Sequence, residues 1–250
     1  MEGHYLQRDQ PPGVPGLSLT GERTLPDVPE ENYWYRRHLA VYEWIAERVG
    51  GLSVTDLACG EGYGAYALAN AAAEVIGIDA NPEAYEHAEA RYRRSNLHFQ
   101  RDLVENLAGS RDAIVFLQTI EHIEEPAPLL ERIAGAAPVA YISTPNRLTL
   151  APDGAERSDN PWHLREYDPD QYRALLEPHF STVEILGLQH AGKLRLHGWA
   201  LKLGWDRVHR ALRLTDPFYA RFTPVISATD FTLRSGDLSG ALDFLAVCRR

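Results

Sequence analysis

Short apolar runs alternate along the chain with segments in which apolar residues recur at helical spacing. The run at 112–117 is apolar after its first residue, as expected for a strand that is buried on both faces of a parallel sheet. Runs of this length suit strands better than helices. We count seven of them, at residues 54–58, 74–79, 97–100, 112–117, 139–143, 182–188 and 244–248. The alternation predicts an α/β fold with a mostly parallel seven-stranded sheet and helices on both of its faces.

Two segments depart from this alternation. Residues 1–19 contain three prolines and no periodic pattern, which predicts a flexible tail in front of a single domain at 20–250. Residues 192–224 place Leu201, Trp205 and Val208 in one stripe and basic residues elsewhere. This pattern predicts a helical insertion before the last strand, and we favour a lid over the core or an acceptor groove. A membrane surface or an acidic partner is the alternative.

The first strand leads into a glycine turn. Gly60, Gly62 and Gly64 let the backbone turn sharply and lie against a ligand. Their spacing is not that of the dinucleotide fingerprint, and the carboxylate of Glu61 would sit badly beside a pyrophosphate, whereas it tolerates a sulfonium and an ammonium group. Asp79 ends the second strand about 20 residues beyond the turn, where an acid accepts hydrogen bonds from ribose hydroxyls.

These features resemble the class I S-adenosylmethionine-dependent methyltransferases, through the motif D-x-x-C-G-x-G-x-G at 56–64 followed by Asp79. The resemblance implies a Rossmann-like fold that binds S-adenosylmethionine. The candidate cofactor-binding residues are Arg37, Ala58, Gly60, Glu61, Gly62, Asp79, Ala80, Asp102, Leu103 and Gln118. Arg37 is expected near the methionine carboxylate and Asp102 near the adenine amino group. A simple surface charge and a turn cap are the respective alternatives.

Candidate catalytic residues follow the fourth and fifth strands. Glu121 and His122 come after the strand at 112–117, and His163 lies in the long loop after the strand at 139–143. Because ligands bind at the carboxyl ends of strands in open α/β sheets, we expect all three near the cofactor. Methyl transfer to a hydroxyl needs a base, for which we favour His163. Glu121 and His122 are candidate ligands of a divalent cation such as Mg²⁺, or an orienting pair, and a helix cap is their alternative role.

Composition narrows the range of partners. The net charge of −10 argues against nucleic acid, and no apolar run approaches the length of a membrane span. The two cysteines, Cys59 and Cys248, do not make a disulfide framework and suit a reducing compartment. The sequence therefore predicts a cytoplasmic enzyme that acts on a small-molecule or oligosaccharide acceptor, and it leaves a homodimer open.

Three separate stretches resemble a narrower group, the bacterial 1-O-methyltransferases of methylmannose polysaccharide biosynthesis. They are residues 21–27 with 31–38, residues 59–64, and residues 143–147 with 160–166. The resemblance implies methyl transfer to a sugar hydroxyl, with the 1-OH of a methylmannose-type acceptor as first choice, and the help of a divalent cation. An O-methyltransferase for a quinone, phenol or other secondary metabolite is the alternative. A non-catalytic S-adenosylmethionine-binding subunit is disfavoured by the acids and histidines at the strand ends.

Overall fold

The computed structural model describes residues 4–5, 12–18, 23–152 and 154–250. The strands in this part of the chain are β1 (His4–Tyr5), β2 (Leu17–Ser18), β3 (Ser53–Leu57), β4 (Glu74–Asp79), β5 (Leu97–Arg101), β6 (Ala113–Leu117), β7 (Val139–Pro145), β8 (Thr182–His190), β9 (Phe231–Arg234) and β10 (Asp243–Arg249). The α-helices are α1 (Asn32–Ala46), α2 (Tyr63–Leu68), α3 (Pro82–Arg91), α4 (Pro126–Ala136), α5 (Arg147–Leu150), α6 (Pro169–Leu176), α7 (Gly192–Lys202), α8 (Trp205–Ala211) and α9 (Thr215–Phe222). The predicted α/β alternation is confirmed.

Within the described residues, the larger sheet has eight strands in the order β5-β4-β3-β6-β7-β10-β8-β9. The five strands from β5 to β7 are parallel, and β10 is antiparallel to both of its neighbours. We predicted seven strands, and β9 is the additional one, antiparallel to β8 at the edge. Of its four residues Phe231 alone is buried, which is too short an apolar run to recognise in the sequence.

Helices cover both faces of the sheet, as predicted. Along β6, Ile114 and Phe116 belong to a core cluster that includes residues of α4 and α6. Val115 and Leu117 belong to a second cluster, which includes residues of α1 and α2. Successive side chains of a strand point to opposite faces, so β6 is buried on both sides, and this explains its continuous apolar run.

The N-terminal segment differs in part from the predicted flexible tail. Leu17 is 1% exposed and clusters with Leu25 and Val28, and the Pro15 carbonyl oxygen lies 2.8 Å from Nδ1 of His87 on α3. Leu17 and the Pro15 carbonyl are therefore held by contacts that carry no periodic signal in the sequence. The rest of the predicted tail, apart from the backbone of β1, lies outside the described residues. No helix in the described part of the chain has the length and apolar character needed to cross a membrane.

Candidate functional site

The carboxyl ends of β3, β4 and β6 border a cavity of about 300 Å³. Six of the candidate cofactor-binding residues line it, namely Ala58, Gly60, Glu61, Asp79, Ala80 and Gln118. The other described residues of its lining are Arg23, Thr24, His38, Tyr42, Cys59, Tyr63, Asn81, Leu117, Thr119 and His122. We call this space the cofactor cavity.

The turn after β3 holds Asp79 against the cavity. Ala58 and Gly60 have φ angles of 58° and 57°, in the left-handed region that glycine adopts without strain. The Gly60 amide donates to Oδ2 of Asp79 at 2.8 Å, and the Asn81 amide donates to Oδ1 at 2.9 Å. Because each carboxylate oxygen has two lone pairs, both oxygens of Asp79 can still accept a hydrogen bond from a ribose hydroxyl. This arrangement fits the ribose of S-adenosylmethionine.

The other two glycines of the motif serve packing. A Cβ at Gly62 would lie 2.8 Å from Cβ of Ala88 and 2.9 Å from Cζ of Phe99, and a Cβ at Gly64 would collide with the Tyr42 ring. Gly62 does not line the cofactor cavity. We expected all three glycines to lie against the ligand. Of the three, Gly60 lines the cofactor cavity, whereas Gly62 and Gly64 allow neighbouring side chains to pack against the turn.

The carboxylate of Glu61 also has a different role from the one that we inferred from the sequence. Glu61 is 1% exposed, and the Tyr92 hydroxyl donates to its Oε1 at 3.0 Å and its Oε2 at 3.1 Å. Nε2 of His87 on α3 lies 3.2 Å from Oε2. Glu61 thus lines the cofactor cavity while its carboxylate is held by side chains on and next to α3.

Three further candidates lie away from the cofactor cavity: Arg37, Asp102 and Leu103. Asp102 accepts hydrogen bonds from the Leu103 amide at 2.8 Å and from Nδ2 of Asn106 at 2.7 Å. These contacts tie Asp102 to residues at the two ends of the short 3₁₀ turn at Val104–Asn106, outside the cofactor cavity. Leu103 is 55% exposed and borders neither of the two cavities of the site.

A second cavity of about 370 Å³ adjoins the first. The residues that line both are Arg23, Thr24, His38, Gln118 and His122. The remaining described residues of its lining are Glu31, Trp34, Arg37, Glu121, Pro145, Leu150, Ser158, Asn160, His163 and Asp243. We call this space the acceptor cavity.

Arg37 lies in the wall of the acceptor cavity, in a buried ion pair with Asp243. Its Nε donates to Oδ2 of Asp243 at 2.6 Å, and its Nη2 donates to Oδ1 at 2.5 Å and to the Leu242 carbonyl at 2.8 Å. The two residues are 5% and 2% exposed. The guanidinium thus ties α1 to the start of β10, and this geometry favours a structural role over contact with the cofactor's methionine carboxylate.

Glu121, His122 and His163 meet where the two cavities join. One oxygen or nitrogen atom of each side chain lies within 4.8 Å of those of the other two, and the two imidazole rings are 5.1 Å apart between centroids. Glu121 and His122 occupy a 3₁₀ turn after β6. The loop after β7 reaches this turn through the Leu164 amide, which donates to the Glu121 carbonyl at 2.8 Å. The structure therefore brings together all three candidate catalytic residues.

Both imidazoles of this cluster are oriented by a second contact. Nδ1 of His163 lies 2.6 Å from Oε1 of Glu166, and its Nε2 lies 3.0 Å from Nδ2 of Asn160. Nδ1 of His122 lies 2.8 Å from the Trp162 carbonyl oxygen. Because a carboxylate and a carbonyl only accept hydrogen bonds, these contacts put the proton of each neutral ring on Nδ1 and the lone pair on Nε2.

Glu121 is the buried acid of the cluster. It is 1% exposed, burial raises its pKa to about 8, and the Thr144 hydroxyl donates to its Oε2 at 3.1 Å. A bound cation would favour the ionised carboxylate and oppose this effect of burial. One carboxylate and two imidazoles are a donor set that suits a divalent transition-metal ion better than Mg²⁺, which prefers oxygen ligands.

Sequence reasoning missed Trp34 and His38. His38 borders both cavities, and burial lowers its pKa to about 4, so the ring is neutral at physiological pH. Trp34 borders the acceptor cavity and remains 40% exposed. Neither was among the candidate site residues taken from the sequence. Their membership of the stretch at 31–38 is the signal that could have identified them.

The three stretches that carry the narrower resemblance come together in space. Residues 23–24 and 31–38 provide side chains to the acceptor cavity, and residues 143–147 and 160–166 provide Pro145, Asn160 and His163 to the same cavity. Residues 59–64 border the adjoining cofactor cavity. Residues 21 and 22 lie outside the described part of the chain. Stretches that are distant in sequence therefore form one continuous site.

Comparison with known proteins extends these observations over most of the chain. A family model described as "Methyltransferase domain" matches residues 54–136. The "probable S-adenosylmethionine-dependent methyltransferase" of Mycobacterium tuberculosis is 34% identical over 250 aligned positions, which cover 94% of this chain and 90% of that protein. A similarly described protein of Mycolicibacterium smegmatis is 39% identical over 188 positions, 71% of each chain. Ubiquinone biosynthesis O-methyltransferase of Acinetobacter baumannii is 34% identical over 105 positions, 35% of this chain and 41% of that protein.

Solved structures share the fold at low sequence identity. An S-adenosylmethionine-dependent methyltransferase of Thermotoga maritima superposes with a TM-score of 0.58 at 14% identity, covering 88% of this chain and 95% of its own. Magnesium protoporphyrin IX methyltransferase of Synechocystis, with S-adenosylmethionine bound, gives 0.51 at 15% identity and 91% and 86% coverage. The N-terminal domain of EvdMO1, solved in the presence of SAH and D-fucose, gives 0.50 at 18% identity and 86% and 82% coverage.

The Mycobacterium tuberculosis relative is 34% identical over 94% of the chain, and the solved structures share its fold. The glycine turn holds the Asp79 carboxylate at the cofactor cavity, where it can accept hydrogen bonds from ribose hydroxyls. S-adenosylmethionine is therefore its cofactor, and the chain belongs to the S-adenosylmethionine-dependent methyltransferases.

Proposed function

We propose that the protein is an O-methyltransferase that transfers the methyl group of S-adenosylmethionine to a sugar hydroxyl, with the 1-OH of a methylmannose-type acceptor as the first choice. The observation that carries this proposal is the position of Glu121, His122 and His163 at the junction of the two cavities. A hydroxyl that reacts with a methyl group from the cofactor cavity must lie at this junction, so a base or a cation held there acts on the reacting oxygen.

His163 is the base in this proposal. The cofactor supplies a methyl group on a positively charged sulfur. Glu166 accepts the Nδ1 proton of His163, so the lone pair of the ring lies on Nε2, where Nδ2 of Asn160 lies 3.0 Å away. In this proposal the acceptor hydroxyl replaces Asn160 as the partner of Nε2 and gives it the proton, and the negative carboxylate of Glu166 stabilises the imidazolium that forms. Ser158 donates to Glu166 from both its amide and its hydroxyl and fixes this carboxylate. The anomeric hydroxyl of a sugar is more acidic than an ordinary alcohol, which suits a single histidine base.

Glu121 and His122 are the candidate ligands of a divalent cation, while His163 stays the base, because its one Nε2 lone pair cannot both bind a cation and take a proton. A cation bound there would lower the pKa of a coordinated hydroxyl. The contact of His122 Nδ1 with the Trp162 carbonyl is of the kind that orients imidazole ligands in metal sites. The donor set leads us to expect a stronger response to a transition-metal ion than to Mg²⁺.

The lining of the acceptor cavity supports a sugar. Trp34 offers an aromatic face, while Arg23, Glu31, Ser158 and Asn160 supply donors and acceptors for several hydroxyls. A protein of the same fold has been solved in the presence of SAH and D-fucose. The stretches that resemble methylmannose 1-O-methyltransferases border this cavity and the adjoining cofactor cavity.

A quinone or phenol acceptor is the second candidate. It is supported by the similarity to a ubiquinone biosynthesis O-methyltransferase, which covers 35% of this chain. A deprotonated phenol needs less help from a base than a sugar hydroxyl does. The charged residues of the acceptor cavity, which include the Arg37–Asp243 pair and Glu31, favour a polar acceptor over an apolar quinone.

The predicted cytoplasmic location and the homodimer belong to this proposal as well. Both cysteines, Cys59 and Cys248, are unpaired and buried, which supports a reducing compartment. Light scattering of the purified chain over a range of concentrations tests the homodimer.

The direct test is to incubate the enzyme with labelled S-adenosylmethionine and a panel of acceptors. The panel contains mannose, methylated mannose oligosaccharides, a catechol and a quinol. We expect label in the sugars and, by NMR of the product, a methyl group on O1. A chelator should lower the rate, and Mn²⁺ or Zn²⁺ should restore it better than Mg²⁺. In Glu121→Gln, the metal concentration for half-maximal rate should rise.

Other results would redirect the proposal. Label in the catechol or quinol alone would favour the second candidate. Binding of S-adenosylhomocysteine without transfer to any acceptor would point to the non-catalytic alternative. An unchanged rate in the presence of chelator would remove the cation and leave His163 as the sole activating group.

A further inference from the structure

The helical insertion α7–α9 carries more exposed large apolar side chains than the rest of the described chain. Of thirteen large apolar side chains that are exposed in the described part of the chain, eight lie between residues 196 and 225. They are Leu196, Trp199, Leu203, Trp205, Val208, Leu212, Leu214 and Val225. Among the described residues that line the cofactor and acceptor cavities, none comes from 192–224. The exposure therefore has no explanation in the site already described.

The exposed residues form regular stripes. Leu196, Trp199 and Leu203 follow the spacing i, i+3, i+7 on α7 and its carboxyl end, so they share one helix face. Trp205, Val208 and Leu212 repeat this spacing from the first residue of α8. Trp199 and Leu203 are 69% and 73% exposed. Each helix thus turns an apolar stripe towards solvent.

An inner aromatic cluster holds the insertion together, and the stripe residue Trp205 packs against it, with its ring 4.5 Å from that of His209 between centroids. The ring of His209 on α8 lies 4.5 Å from that of Phe218 on α9, and the ring of His197 on α7 lies 4.9 Å from that of Phe222, between centroids. Nε2 of His197 also lies 3.0 Å from the Tyr219 hydroxyl. The three helices are joined through these inner residues, and the outer stripes remain available to a partner.

The charge of the insertion is opposite to that of the chain. Residues 192–225 contain seven Lys and Arg and two Asp, a net charge of +5, in a chain with a net charge of −10. Arg195 and Lys202 are exposed and directly precede Leu196 and Leu203 on the apolar stripe of α7. Arg207, Arg210 and Arg213 are exposed along α8 and at its end. Basic residues thus lie beside the apolar stripes on the protein surface.

We propose that α7–α9 bind the surface of an anionic lipid bilayer. Leucines and tryptophans exposed on helices that also carry Lys and Arg are the composition of interfacial helices, which insert apolar side chains among the lipid head groups. The basic residues complement anionic lipids, and the negative remainder of the chain is repelled by them and faces the solution. Charge complementarity favours this occupant over a second copy of the chain, whose insertion carries the same positive charge.

The insertion joins the domain beside the acceptor cavity. Nδ2 of Asn32 at the start of α1 donates to the carbonyls of Thr223 and Ile226 at 2.7 and 3.0 Å, and the preceding residue, Glu31, lines that cavity. At the amino-terminal end of the insertion, Lys193 forms an ion pair of 2.5 Å with Asp230, which lies just before β9. Membrane binding through the insertion would therefore hold the methyltransferase domain by the side on which the acceptor cavity lies.

Vesicle co-sedimentation tests the proposal with the full chain. Vesicles of phosphatidylcholine with phosphatidylglycerol are compared with vesicles of phosphatidylcholine alone. We expect the protein to sediment with the anionic vesicles and to bind them about tenfold or more weakly after Leu196→Ser with Trp199→Ser, because apolar area is lost. Arg195→Glu with Lys202→Glu, or high salt, should weaken binding by a similar factor.

Matched controls lie outside the insertion. Leu148→Ser removes a leucine of 48% exposure on α5, and Arg132→Glu reverses an exposed charge on α4; both should bind like the unchanged protein. Thermal melting shows whether each variant is folded. The proposal is overturned if the unchanged protein stays in solution with anionic vesicles, or if the insertion variants bind as it does. A dimer in light scattering that Leu196→Ser with Trp199→Ser dissociates would identify a second copy as the occupant and would equally overturn it.

Discussion

The cofactor half and the acceptor half of the site are built from different kinds of contact. In the cofactor half, the Gly60 amide and the Asp79 carboxylate are 19 residues apart in the chain and join neighbouring strands. In the acceptor half, Arg37 and Asp243 are 206 residues apart, and His122 reaches the Trp162 carbonyl across 40 residues. The first half is mainly backbone geometry within one βαβ unit, while the second depends on side chains from elements spread over most of the chain.

This difference separates the two halves in function. A turn fixed by backbone hydrogen bonds can bind the same cofactor whatever surrounds it. A cavity assembled from α1, the turn after β6, the loop after β7 and the start of β10 can change its acceptor through side-chain replacements that leave the turn intact. The clearest experiments are therefore substitutions that should affect one half and spare the other.

The largest effect is expected for His163→Ala in the acceptor half. If His163 removes the acceptor proton, kcat should fall by about 10²–10⁴-fold, with little change in the affinity for S-adenosylhomocysteine. Glu166→Gln should cause a smaller loss, because the ring keeps a hydrogen-bond partner but the imidazolium loses its negative neighbour. Initial rates and calorimetric titration measure the two quantities. His98→Ala, on an exposed position of β5, is the matched control.

His163→Ala also tests whether the cofactor half and the acceptor half act independently. A parallel loss of cofactor affinity in His163→Ala would show that the loop after β7 shapes the cofactor cavity as well. Turnover close to normal would leave the chemistry to positioning, or to His122 and His38, which also border the junction of the cavities.

How far the sequence predicts each half follows from the same contrast. The strands, the turn and Asp79 could be predicted because each is encoded within about 30 residues by apolar runs and glycine spacing. Even there, the sequence could not distinguish Gly60, which faces the ligand, from Gly62 and Gly64, which make room for side chains on other elements. Likewise, the partners of Glu61 lie on and next to α3, and no local sequence pattern predicts these contacts.

In the acceptor half, the sequence predicted the site residues, but it did not predict the side chains with which they pair. Glu121, His122 and His163 were expected near the cofactor because they follow strands at the ligand-binding end of the sheet. Arg37 was expected near the methionine carboxylate, whereas its side chain lies in the wall of the acceptor cavity. Its ion pair with Asp243 depends on β10 lying between β7 and β8, which is a feature of topology that α1 does not encode.

The second largest effect is expected for Arg37→Met, and it is an effect on stability. Asp243 would be left buried without its cation, which costs about 3–5 kcal/mol in the free energy of unfolding. Arg37→Met with Asp243→Leu should recover much of this loss, because neither charge then remains buried. Arg48→Met is the control, since its pair with Glu47 is exposed and exposed pairs contribute about 0–1 kcal/mol. Chemical denaturation measures all three.

Arg37→Met also tests the boundary between the halves. We expect the folded variant to bind S-adenosylhomocysteine as the unchanged protein does. If its affinity drops while the double variant is stable, Arg37 reaches the methionine carboxylate after all, and the cofactor half extends to α1.

Asp79→Ala is the corresponding change in the cofactor half. The ribose hydroxyls lose a charged acceptor, and hydrogen bonds to charged groups contribute about 1.5–3 kcal/mol, so the affinity for S-adenosylhomocysteine should fall about 10–100-fold. Asp102→Ala should change it little, because the Asp102 carboxylate bonds to Leu103 and Asn106 outside the cavity. Calorimetric titration gives both values. Equal affinities for Asp79→Ala and the unchanged protein would refute the position of the ribose.

The smallest effect concerns His38, which belongs to both halves because it borders both cavities. Burial lowers its pKa from 6.5 to about 4. Between these values the unfolded chain binds a proton that the folded protein does not, so the free energy of unfolding falls as the pH drops from about 6.5 to 4. At about pH 5 this costs about 1–2 kcal/mol, and His38→Gln should remove that share of the acid destabilisation while stability at neutral pH changes less. Denaturation at several pH values measures this loss of stability, with His98→Gln as control.

Because the His38 ring is already neutral above about pH 5, the acid limb of kcat/KM should keep its position in His38→Gln. A shift of that limb would instead make His38 the group that titrates during catalysis, and the base would then belong to α1 rather than to the loop that carries His163.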